Sequence, residues 1–130
     1  MTIQTDLYAD LDAEASITAS FYLTDAPVGA KAPIVEINLT DHHLPKTTGN
    51  SSSGHTSEFE FECWHTTTAL AETLANSIKT YLRDYTGTLN SGSPATKIWW
   101  AKIFNEFSSH DSAAELFGST FTVKFNHNEV

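Results

Sequence analysis

Three glutamates in the stretch EFEFECWHTTT, Glu58, Glu60 and Glu62, stand two residues apart and out of phase with Phe59, Phe61 and Cys63. Closely spaced carboxylates can do acid–base chemistry when their surroundings push their pKa values apart. A second group of reactive types is Asp41, His42 and His43 in DHHLP, with His55 further on. These are the ligand types of zinc and other transition metals. Neither group has the rest of a site. No partner in the sequence is placed to shift the glutamates. Adjacent histidines on an extended chain point to opposite sides, and a loop rich in Ser, Thr and Gly orders no ligands in advance. The expectation is therefore an acidic strip and solvated loop histidines, with no metal site.

Other routes to catalysis are no stronger. The chain has no phosphate-binding loop, dinucleotide fingerprint, nucleophile elbow or paired-cysteine metal motif. His65, His110 and His127 are isolated near element ends and read as surface or hydrogen-bonded imidazoles. HDSAAE carries Asp111 and Glu115 beside His110 but no serine placed as a nucleophile. Cys63, in phase with two phenylalanines, reads as a small buried hydrophobe, and a single cysteine makes no internal disulfide. The reading is a protein that is not an enzyme and needs no cofactor.

The elements that position these residues follow from periodicity. TDLYADLDAEA, with Leu7, Tyr8 and Leu11, suits a short N-terminal helix with Thr5 or Asp6 as N-cap. SITASFYLT and IVEINLT alternate as strands, separated by DAPVGAKAP with its turn residues. Residues 41–57 read as one long flexible loop, and 58–64 as the hairpin partner of the second strand. The period then lengthens: Leu70, Leu74, Ile78, Leu82 and Tyr85 make one stripe of a long helix, with Gly87 placed as its C-terminal glycine. TKIWWAKIFNEF is a strand with large residues on both faces, SSHDSAAELFG a loop or helical turn, and STFTVKFNH a closing strand. This order predicts one α+β domain over 1–130: an antiparallel sheet of four or five strands, with the long helix and the short N-terminal helix packed on one face.

Composition agrees with a globular domain: 130 residues, 40% of them apolar and 12% aromatic, enough for a core without staples. No stretch resembles an export signal or a membrane span, so neither export nor anchoring is expected. Seven basic against sixteen acidic residues give a formal charge of −9, which repels phosphate backbones and anionic lipid. The sheet face away from the helices is the anomaly. It is expected to carry Tyr22, Ile34, Trp64 and one of Trp99 and Trp100 beside Glu36, Glu58, Glu60 and Glu62, with Lys102 and Lys124 as its cations. These are either ordinary isolated surface aromatics or residues that self-association covers. The candidate subunit or partner interface is Tyr22, Glu36, Glu58, Glu60, Glu62, Trp64 and Trp99.

The N-terminal helix, the strand running into DAPVGAKAPIVEINL, then FEFECWHTTTALAETLANSIKTYL and the closing FGSTFTVKFNH resemble, in order, the small tail-completion proteins of tailed bacteriophages. These are tail terminators, or tail-to-head joining proteins. The resemblance covers nearly the whole chain and implies a structural virion protein without enzymatic activity or cofactor. It would be assembled in the host cytoplasm into a homo-oligomeric, hexameric ring at the head-proximal end of the tail. Its implied partners are the tail tube protein and the neck or connector protein, with genomic DNA passing through the lumen unbound and no membrane involved. On that view the 41–57 loop, with Asp41, His42, His43, Lys46 and His55 as its partner-contacting residues, orders against a tube or neck partner or lines the lumen. The alternatives are a head–tail adaptor or stopper of the same neck, and a small-molecule-binding regulatory α+β domain.

Overall fold

A computed structural model of the chain describes residues 3–14, 17–23, 25–27, 29–43, 55–83, 85–89 and 96–127. Its elements are α1 (Ile3–Ala13), β1 (Ser20–Tyr22), β2 (Ile34–His43), β3 (His55–His65), α2 (Thr68–Leu82), β4 (Gly87–Leu89), β5 (Thr96–Asp111) and β6 (Leu116–His127). The strands form one six-stranded sheet in the order β1-β2-β3-β6-β5-β4. The fold is α+β.

The alternation in EFEFEC makes β3 a central strand. Phe59, Phe61 and Cys63 are fully buried, and every even-numbered residue of the strand stays half-exposed. β6 pairs with it antiparallel and adds Phe121, Val123 and Phe125 to the same face. Phe61 and Phe121 stack at 5.2 Å between ring centroids, while Phe59 meets Phe125 edge-on at 6.0 Å. Such ring pairs add about 0.5–1.5 kcal/mol each beyond the area they bury.

α2 lies over β3 and β6, and its buried stripe is Ala71, Leu74, Ala75, Ile78 and Leu82. Leu70 was expected in this stripe but is 44% exposed. At about 100° per residue it stands a quarter turn from the stripe's centre, in the first turn that Thr67 caps through its side-chain oxygen. The helix ends at Leu82, five residues before Gly87, so Gly87 is not its terminating glycine. At φ 136° Gly87 instead opens the edge strand β4 in a region that side chains rarely enter.

α1 buries Ile3, Leu7 and Leu11, and it touches β1 and β2 at one flank of the sheet and β4 at the other. Because β1 and β4 are the two edges, the sheet curls and α1 bridges the opening. The Gln4 side-chain amide ties this helix to the flank by donating to the carbonyls of Leu23 and, at 2.9 Å, Ile37.

Several expectations are corrected. The sheet has six strands rather than four or five, and it is not wholly antiparallel, because β1 runs parallel to β2. The turn-rich segment between them therefore works as a short crossover returning the chain in the same direction. The expected loop at 41–57 is strand at both ends: residues 41–43 belong to β2 and 55–57 to β3. Thr, Ser and His there lack apolar alternation but pair through their backbones, which a side-chain pattern does not register. Residues 108–111 extend β5, and the Asp111 carboxylate accepts from the amides of Ala113 and Ala114 to hold the turn into β6.

Leu11 carries the bridging role of α1. We expect Leu11→Ala to lower unfolding stability by about 2–5 kcal/mol, read as a shifted urea midpoint. A loss under about 1 kcal/mol would mean that α1 does not close the sheet.

Candidate interaction surface

The face of the sheet turned away from the helices is built by register. β3 presents Glu58, Glu60, Glu62 and Trp64; β2 sets Asp41, Asn38, Glu36 and Ile34 directly opposite them. On the other side of β3, β6 sets Lys124, Thr122, Thr120 and Gly118 opposite the same four residues. β5 then adds Trp100, Lys102, Phe104, Phe107 and Ser109 against β6. The threonines Thr120 and Thr122 are buried along the middle of this face by their long neighbours.

Charge is segregated across it. Glu36 faces Glu62 and Asp41 faces Glu58 on β2 and β3, while Lys102 faces Lys124 on β5 and β6. Burial, together with Glu36, Glu60 and Asp25, holds the Glu62 carboxyl above its ordinary pKa. Its only described hydrogen bond comes from the Asn38 side-chain amide, at 3.3 Å. Two large apolar side chains stand exposed on the basic flank: Trp100 at 41% and Phe107 at 54%.

Trp64 and Glu36 are tied into the chain's own packing. The Trp64 indole N–H donates to Glu36 Oε1 at 3.0 Å, and the Ala26 amide donates to Glu36 Oε2 at 2.5 Å. The indole ring lies on Gly118, where an added Cβ would come within 2.9 Å of it and 2.6 Å of Ser109 Oγ. Trp64, Glu36 and Ala26 border a cleft of about 320 Å³, walled also by Pro27, Ile34 and Leu116. Tyr22, opposite Glu36, is half-buried at the sheet edge.

Trp99 was expected as the tryptophan of this face, and the structure assigns the position to Trp100. A bulge between Ile98 and Trp100 resets the phase of β5, so Ile98 and Ala101 are both buried and Trp100 points out. Trp99 is the bulged residue and is half-buried. A second irregularity between Phe104 and Phe107, with Asn105 at φ 54°, again resets the phase and exposes Phe107. A strict period of two cannot reveal such insertions.

The expected partner-contacting loop is divided. Lys46 lies outside the described residues. Asp41 is an exposed strand residue opposite Glu58; His42 and His43 occupy β2 opposite Ser57 and Thr56. His55 is not a loop residue: it is buried in β3, opposite His127. Among the described residues no three His, Cys, Asp or Glu side chains are gathered as a metal ion would require.

One polar arrangement was not foreseen. His127 Nε2 and Ser57 Oγ are hydrogen-bonded at 2.8 Å, with His55 stacked obliquely 6.0 Å from the His127 ring. A serine beside an imidazole is a nucleophile–base geometry, and here both residues are buried, at 0% and 1% exposure. Sequence spacing could not have found it, because the two residues are seventy positions apart. Cys63 is equally enclosed, and burial pushes its thiol well above the ordinary range, which keeps it protonated and unreactive.

The fold has a solved counterpart. The chain superposes on one from a structure described as the virion of a native gene transfer agent (GTA) particle, with a TM-score of 0.68. The likeness covers 98% of this chain and 95% of that one at 15% sequence identity. At that identity it establishes a shared fold. No protein-family model matches the chain. A search of curated proteins finds no match.

Two outcomes are expected here. The native state binds the Glu62 proton more tightly than the unfolded chain, so this group's contribution is present below the ordinary glutamate pKa and is lost as pH rises through the raised one. Glu62→Gln should therefore raise the urea midpoint at pH 7, and the gap from wild type should close at acid pH; a lower midpoint at pH 7 would contradict the acid crowding. Gly118→Ala should displace the Trp64 ring and cost about 1–3 kcal/mol. The Trp64 indole N–H resonance reports the broken bond to Glu36.

Proposed function

We propose that this protein is a structural virion component of a tailed-phage-like particle. Its specific role is that of a tail terminator or tail-completion protein, a hexameric ring that ends the tail tube and joins it to the neck. The observation that carries this reading is the full-length fold match to a chain of a gene transfer agent virion. The resemblance of the sequence elements to tail-completion proteins supports it independently.

The surface fits such a role. A chain of net charge −9 does not hold DNA, so a conduit built from it lets DNA pass. The outer sheet face offers exposed aromatics and segregated charges, the materials of a protein contact. Its partners in this reading are further copies of itself, the tube protein and a neck protein, and its work is mechanical, without catalysis or a cofactor.

The test is assembly. Tail tube protein from the same particle, polymerised with and without this protein, is examined by negative-stain microscopy. Tubes of limited length with a ring at one end are expected when it is present. Equal tube lengths and bare ends would overturn the terminator role.

A further inference from the structure

The outer sheet face gathers like charges that a lone chain relieves only in part, through the hydrogen bonds of Trp64 and Ala26 to Glu36 and through Lys124 opposite Glu58. Like charges set directly opposite one another across a strand pair are destabilising. Here Glu36/Glu62 and Asp41/Glu58 are such pairs on one flank, and Lys102/Lys124 is one on the other. The boundary runs along β6, where Lys124 stands between Glu58 on β3 and Lys102 on β5. Trp100 and Phe107 are exposed on the basic flank, whereas the acidic flank's own tryptophan, Trp64, is held by Glu36 and Gly118. One flank presents anchors and cations, and the other presents carboxylates.

We propose that this face is the self-docking surface of the protein. The β2–β3 acidic flank of one copy seats against the β5–β6 flank of the next, with Glu60 and Glu62 meeting Lys102 and Lys124, and Trp100 and Phe107 buried between them. The occupant is a second copy because the two flanks are complementary in charge and lie on the same chain. The ring reading makes the contact head-to-tail. The sheet bends around its helices, with α1 touching β1 and β2 on one side and β4 on the other, so the outer face is convex and its flanks point in diverging directions. In the ring arrangement each flank meets a different neighbour. Such heterologous contacts close into rings or run into filaments. This inference deepens the proposed function and rests on its ring-forming reading.

Charge reversal with co-assembly tests it. One variant carries Lys102→Glu and Lys124→Glu; the other carries Glu60→Lys and Glu62→Lys. Each sets like charges at all four contact positions, so in sedimentation velocity each alone should self-associate about tenfold or more weakly than wild type. An equimolar mixture should restore assembly, because every junction then pairs acid with base. Assembly of either variant at wild-type strength, or a mixture no better than its parts, overturns the proposal. Circular dichroism checks folding. If a reversal variant does not fold, Phe107→Ser combined with Lys102→Gln takes its place, and undiminished association again overturns the proposal. A wild-type chain that stays monomeric with and without tube protein overturns both this contact and the ring reading. Rings indifferent to the reversals overturn only the contact. Charge-dependent rings that leave tube length unchanged overturn only the terminator role.

Discussion

The bridging of the curled sheet by α1 is the constraint on which the other features depend. An eleven-residue helix has little stability by itself, so it forms here because Leu7 and Leu11 find a complete apolar enclosure. That enclosure exists only if the sheet bends far enough to bring β1, β2 and β4 to the same helix. The bend is supplied in part by the two irregularities in β5, since bulges increase local twist and curvature. Core burial and sheet curvature are therefore one problem with one solution.

Curvature has a consequence on the opposite surface. The apolar side chains line the concave side under α2 and α1, and the convex side receives everything the core rejects. Glutamates from β3 and acids from β2 collect on one flank, and the lysines of β5 and β6 collect on the other. The same bulges that bend β5 also turn Trp100 and Phe107 outward. A strand irregularity that serves packing on one side thus creates exposed apolar area on the other. This link between core and surface suits a protein that acts by contact, which is the role proposed for it.

Much of the architecture was legible in the sequence where one period held over many residues. The alternation around Phe59 and Phe61, the run through Phe121, Val123 and Phe125, and the stripe containing Leu74 and Ile78 each identified an element and its buried face. Legibility failed where backbone pairing continues without apolar alternation, as at His42, His43 and His55, and where a bulge resets the phase, as at Trp99. It failed also for Ser57 and His127, whose contact depends on β3 and β6 lying side by side. Glu36 and Trp64 were legible as outer-face residues, but their hydrogen bond to each other required the β2–β3 register.

By itself the sequence determined what each strand and helix must bury, because side-chain period and hydrophobicity are local properties of the chain. It determined the acidic balance and the absence of a contiguous catalytic motif for the same reason. Tertiary structure alone decided the parallel pairing of β1, the curl that α1 spans, the enclosure of His55, and which tryptophan of the pair in β5 faces outward. These depend on register and strand order, which bring together residues far apart in the chain, and a single inserted residue changes them without changing the composition that a sequence presents.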